Sequence, residues 1–120
     1  MGQTPETYLG SKRTVGRAYV STPAEIPNDQ FALFGDWHIG EEYARPSQGA
    51  KLFFNYYAKD VYLVMRTNDG EVGKVKVGDK IIEVKDDKLY QLVDFTEPKA
   101  QVLELDFLTP NIEVYAFTFG

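Results

Sequence analysis

The chain of 120 residues has no cysteine and a single histidine, His38. Without thiols there is no disulfide exchange, no thiolate zinc centre and no cysteine nucleophile. The serines, Ser11, Ser21 and Ser47, sit in no Gly-x-Ser-x-Gly elbow, so no motif places a nucleophile for a triad built on His38. A lone histidine beside Trp37 reads as a packed or hydrogen-bonded strand residue. Lys and Arg are scattered through a chain of net charge −5, with none of the basic stripe that nucleic acid or an anionic membrane requires. No apolar run approaches the ~20 residues of a membrane span. The polar opening is not a signal peptide, and Glu6 stands where a myristoylation motif needs Ser or Thr. Met1-Gly2-Gln3 is expected to be vector sequence ahead of an excised domain, so missing signals say little about location.

What is present is aromatic: 14% of residues, against 26% charged. Buried rings dominate the cores of β-sandwiches, while tyrosines at exposed sheet positions serve binding. A length of 120 residues suits one domain, 1–120, with a core large enough to need no metal or disulfide. Residues 4–30 carry Pro5, Pro23 and Pro27 and read as a loop-like arm, anchored by Tyr8-Leu9 and Ala18-Tyr19-Val20.

From Phe31 onward the texture is that of strands: 31–34, 37–39, 51–57, 61–67, 73–77, 80–84, 89–95, 102–108 and 112–120. Turn chemistry separates them at Gly35-Asp36, Ala58-Lys59-Asp60, Asn68-Asp69-Gly70, Gly78-Asp79, Asp86-Asp87 and Thr109-Pro110-Asn111. Short strands at this spacing predict an all-β, antiparallel β-sandwich of jelly-roll type. The last two runs read as a hairpin or paired strands. Tyr115, Phe117 and Phe119 would face one way to seal the sandwich, opposite Val114, Ala116 and Thr118. Glu41–Arg45 reads as at most one helical turn before Pro46.

Acid–base chemistry finds little support. Glu41-Glu42 and Asp86-Asp87 are adjacent pairs whose members would point to opposite faces of a strand, so neither pair flanks one glycosidic bond. Calcium suits carboxylates, but no spaced acidic loop is present. Gly10-Ser11-Lys12 lacks the glycine spacing of a phosphate-binding loop. No catalytic residue, metal or cofactor is expected.

Sheet alternation gives a better clue. Leu52, Phe54 and Tyr56 with Val61, Leu63 and Met65 form apolar sets suited to a core. The opposite positions present Phe53, Asn55, Tyr57, Tyr62 and Arg66. Rings beside an amide and a guanidinium suit a sugar, whose C–H face stacks while its hydroxyls need donors and acceptors. The alternative is that the arm, a second layer or a neighbouring domain covers this face.

Several segments carry a family likeness: Thr4-Pro-Glu-Thr-Tyr-Leu-Gly10, Gly35-Asp-Trp37 with Glu42-Tyr-Ala44, Ala58-Lys-Asp-Val-Tyr-Leu-Val-Met65, Leu89-Tyr-Gln-Leu-Val93 and Tyr115-Ala-Phe-Thr-Phe-Gly120. In this order they resemble the thioredoxin-like C-terminal domain that follows the redoxin module in DipZ-type thiol-disulfide interchange and cytochrome c biogenesis fusion proteins. The resemblance implies a fold similar to carbohydrate-binding modules and an extracytoplasmic location. It also implies a non-catalytic accessory role beside a thioredoxin-like domain, with carbohydrate as a possible partner. A domain that docks on the thioredoxin module or its client is the alternative. The Cys-x-x-Cys of the redoxin module is missing. Gly78-Asp79 reverses the Asp-Gly expected after the middle strand, which puts the geometry of that turn in question.

Overall fold

The computed structural model describes residues 2–120; Met1 lies outside the described residues. Among them the strands are β1 (Thr7–Tyr8), β2 (Gln30–Phe34), β3 (Trp37–Ile39), β4 (Ala44–Pro46), β5 (Lys51–Thr67), β6 (Gly73–Val77), β7 (Lys80–Val84), β8 (Lys88–Phe107) and β9 (Ile112–Phe119). A 3-10 turn at Pro23–Glu25 interrupts the arm. Every pairing between these strands is antiparallel. The expected all-β antiparallel class is the one the chain adopts.

Two pairs of expected strands are fused. β5 runs 17 residues through Ala58–Asp60, and β8 runs 20 residues through Thr96–Ala100. The two strands pair from Lys51↔Asp106 to Met65↔Lys88, with register shifts at Ala58/Asp60 and Val61/Tyr62. The physical reason is that a bulge makes the corner: an extra residue bends and twists the ribbon without ending its ladder. Burial changes phase at the same place. Leu52, Phe54, Tyr56 and Ala58 are buried before it, and Val61, Leu63 and Met65 after it.

The bent β5–β8 ribbon therefore serves two layers. The first layer has the order β3-β4-β9-β5-β8 and uses the later half of β5, with β1 added beside β9. The second has the order β2-β5-β8-β6-β7 and uses the earlier half. They meet face to face: the Phe54 ring centre lies 5.0 Å from Phe117 and 5.3 Å from Phe119, and Trp37 sits edge-on to Phe107 at 5.3 Å. One apolar core fills the space between.

Three local expectations are corrected. β8 and β9 are not a hairpin: they flank β5, and Thr109–Asn111 carries the chain from one layer to the other. The end of β8 already has partners on both sides, Lys51 of β5 opposite Asp106 and Val75 of β6 opposite Phe107. The segment before Pro46 is strand rather than helix, because Ala44 is buried between Ile39 of β3 and Val114 of β9. In β9 the pairing jumps from Val64↔Ala116 to Met65↔Val114, so Tyr115 is an extra residue. Val114 thereby turns inward with Phe117, while Tyr115 leaves the core.

The turn at Gly78-Asp79 is explained by its own backbone. Val77 pairs with Lys80, and Gly78 has φ +59°. A two-residue hairpin turn with the positive φ at its first position calls for glycine there, so Gly-Asp is a sound order.

Candidate functional site

The phase change in β5 separates the five residues expected to share a face. Phe53, Asn55 and Tyr57 lie on the outer side of the second layer; Tyr62 and Arg66 lie on the outer side of the first.

The arm covers the first group in part. Ala18 and Ile26 pack with Ala32 as a small separate cluster, against which Phe53 and Phe34 rest edge-to-face at 5.4 Å. The Asn55 amide donates to the Ile26 carbonyl at 2.9 Å. Tyr57 is bracketed at the backbone by Thr4, whose N–H donates to the Tyr57 carbonyl at 3.0 Å and whose Oγ1 accepts from the Tyr57 N–H at 2.8 Å. Asn55 thus has its donor committed, and the Phe53 ring is half-buried.

Arg66 belongs to a different constellation. Its Nε–H donates to Glu113 Oε1 at 2.9 Å, from the neighbouring strand position. The Tyr115 hydroxyl donates to the same oxygen at 3.2 Å, and Arg45 Nη1 lies 3.7 Å from Glu113 Oε2. Glu113 is only 4% exposed. A buried carboxylate is costly unless paired, and two guanidiniums and a phenol supply the pairing. The bulge at Tyr115 makes this possible, because it puts that ring on the same side as Glu113.

Electrostatics follow from the packing. Burial, then the Glu113 charge, pushes the Tyr115 phenol from about 10 up to about 12. The hydrogen bond to Glu113 holds the Arg66 proton more firmly than usual. Asp87 acts on both Arg66 and Tyr115, so the patch mixes cations and carboxylates.

Beside it, Tyr8, Arg13, Glu42, Asp87 and Tyr115 surround a cleft of about 200 Å³ whose floor is Val64 and Ala116. Arg13 stacks 4.0 Å over the Tyr8 ring, and Tyr43 lies 5.9 Å from Tyr115. Tyr62 is half-buried on the same side, paired with Thr118 of β9.

Of the five candidates read from the sequence, Arg66 and Tyr62 lie on this layer; Glu113, Tyr115 and Tyr8 were not among them. The available signal was an acidic residue inside a run that is otherwise apolar, Ile112-Glu113-Val114. His38 is exposed, 6.2 Å from the Tyr43 ring. Trp37 is half-buried, and its indole N–H donates to the Phe34 carbonyl at 3.0 Å. Among the described residues no three His, Asp or Glu side chains converge as metal ligands, and no helix is long and apolar enough to cross a membrane.

Fold and site together define an antiparallel β-sandwich domain with tyrosines and paired charges on one outer layer. The family model described as thioredoxin like C-terminal domain matches residues 4–120, and the chain belongs to that family. It is 28% identical over 139 aligned positions to Protein DipZ of Mycobacterium bovis (strain ATCC BAA-935 / AF2122/97), and equally so to that of Mycobacterium tuberculosis (strain CDC 1551 / Oshkosh). Each alignment covers 98% of this chain but only 18% of the relative. Among solved structures, a family two carbohydrate esterase from Cellvibrio japonicus superposes with a TM-score of 0.65 at 14% identity, over 74% of this chain and 30% of the esterase. That likeness is one of fold.

Proposed function

We propose that the chain is a non-catalytic accessory domain of an extracytoplasmic, thioredoxin-like thiol-disulfide protein, and that the outer side of its first layer binds carbohydrate or another cell-envelope ligand. The observation that carries this reading is the Glu113 constellation. A buried carboxylate fixes Arg66, Arg45 and Tyr115, and Tyr115 shares its cleft with the Tyr8 ring. Fixed guanidinium and phenol groups next to apolar ring faces match the mixed surface of a sugar. Arg66 uses only its Nε–H on Glu113, so its terminal N–H groups are uncommitted among the described residues. Binding would tether the adjoining redox module near its target and raise its local concentration. A jelly-roll module of the carbohydrate-binding kind is the architecture this role implies.

A second reading rests on a different place. An apolar cleft of about 420 Å³, lined by Val77, Leu92, Val102 and Leu103 among others, lies along β8 beside the Gly78 turn. This suits docking on the thioredoxin module or on its client, with no small ligand involved.

A glycan array probed with the purified domain and with Tyr115→Ala and Tyr62→Ala separates the two. The carbohydrate reading expects a defined set of glycans that each variant binds about tenfold more weakly, the size of one lost aromatic contact. An array with no hit, together with measurable association of the domain with the redox module, favours docking.

A further inference from the structure

The arm holds an arginine with no acid beside it. Arg17 is fixed at the backbone: Ala18 N–H donates to the Phe31 carbonyl at 2.7 Å, and Phe31 N–H donates to the Gly16 carbonyl at 2.9 Å. Its guanidinium lies 4.6 Å from the centre of the Tyr19 ring, which is 82% exposed. Its Nε–H is buried without a hydrogen-bond partner, and none of the ion pairs among the described residues includes it. Acids are not scarce in a chain of net charge −5. A buried guanidinium donor left open is costly unless something accepts from it.

The surroundings form a pocket of about 350 Å³, lined by Leu9, Ser11, Thr14, Arg17, Tyr19 and Ile39 with Gly16. That volume falls at the lower end of small-molecule sites. The loop that builds it is held in advance. Ser11 N–H donates to the Gly40 carbonyl and Lys12 N–H to the Glu41 carbonyl, each at 2.9 Å. A side chain at Gly10 would collide with the Glu42 backbone at 2.3 Å, so the contact is made for glycine. Thr14 donates its hydroxyl to the Gly10 carbonyl, which leaves that oxygen free to accept. Leu9 and Ile39 add an apolar wall.

We propose that this pocket binds an acidic monosaccharide, with the sugar carboxylate accepting from Arg17. The guanidinium fork recognises a carboxylate and cannot be neutralised. The hydroxyls of Ser11 and Thr14 meet ring hydroxyls, and the C–H edge rests on Leu9 and Ile39. The site is separate from the Glu113 face and stands whether or not that face binds a neutral glycan.

Amide chemical-shift titration of the whole chain with glucuronate, glucose and inorganic phosphate tests it, in the wild type and in Arg17→Gln and Tyr19→Ala. Glucuronate is expected to give saturable shifts confined to residues 9–19 and Ile39, with glucose much weaker. Arg17→Gln is expected to weaken glucuronate by about tenfold or more, the loss of one charge-assisted pair. Tyr19→Ala, at an exposed position that folding does not need, is expected to weaken it about threefold by releasing the stacked guanidinium. Should Arg17→Gln fail to fold, the map and Tyr19→Ala decide. Glucose binding as well as glucuronate, phosphate binding where glucuronate does not, shifts located elsewhere, or an unchanged affinity in both variants overturns the proposal.

Discussion

One strand, β5, presents two outer surfaces with opposite fates. Ahead of its bulge, Phe53 and Asn55 face outward into an arm that supplies Ala18, Ile26 and a carbonyl acceptor. Beyond the bulge, Val64 faces outward into a cleft rimmed by tyrosines and charges, and Arg66 faces outward onto Glu113. Both halves alternate in the same way, and both put rings or polar groups outside. What differs is the cover. An outward ring becomes core when a loop with apolar anchors lies on it, and stays available when the neighbouring strand offers a charged residue instead.

Paired substitutions in β5 break the comparison most strongly. Phe54→Ala removes a fully buried ring that touches Phe31, Phe117 and Phe119, and is expected to cost about 3–5 kcal/mol in urea unfolding. Phe53→Ala, one residue earlier, is expected to cost about 1–2 kcal/mol, because the arm buries only part of the ring. No loss at Phe53 would show that the arm does not cover this half.

On the open half, Glu113→Ala leaves Arg66 and Arg45 facing each other without their carboxylate. Arg66 is 45% exposed, so water screens part of that repulsion and the expected loss is about 2 kcal/mol. Glu113→Gln, which keeps the shape and one acceptor, is expected to cost less. Equal costs for the two variants would mean that volume rather than charge holds the site.

The smallest effect is one of pH. The Tyr115 phenol titrates near 12 in the folded chain against about 10 when exposed. The unfolded chain therefore releases this proton first. The contribution is fully present below about pH 10 and is lost as pH rises from there through about 12. Tyr115→Phe is expected to flatten the decline of stability in that window, as followed by denaturant midpoints. An unchanged slope in the variant would show that the phenol is not held by burial and by Glu113.

Much of the fold was legible because it rests on period-two patterning. Leu52, Phe54, Tyr56, Val61, Leu63 and Met65 read as core and are core. Turn residues also announced themselves, as at Asn68–Gly70, where Gly70 has φ +75°. The bulges were not legible. Ala58–Asp60 has the composition of a turn, and only its pairing with β8 keeps the strand running. The bulge in β9 turns Tyr115 outward, where strict alternation with Phe117 and Phe119 places it in the core. The bulge in β5 leaves Tyr62 and Arg66 outward, as their alternation with Val61, Leu63 and Met65 implies, but moves them to the other layer, away from Phe53. Glu113 was illegible for a related reason: its partners come from β4 and β5, far away in sequence, and only the sheet order brings them together.

The most direct test of the difference between the two outer faces is an amide chemical-shift map of the domain titrated with neutral oligosaccharides. Saturable shifts are expected at Tyr62, Val64, Arg66, Glu113 and Tyr115, with Phe53 and Asn55 silent beneath the arm. Shifts confined to Phe53, Asn55 and Tyr57, or no shifts with any glycan of the panel, would contradict that difference.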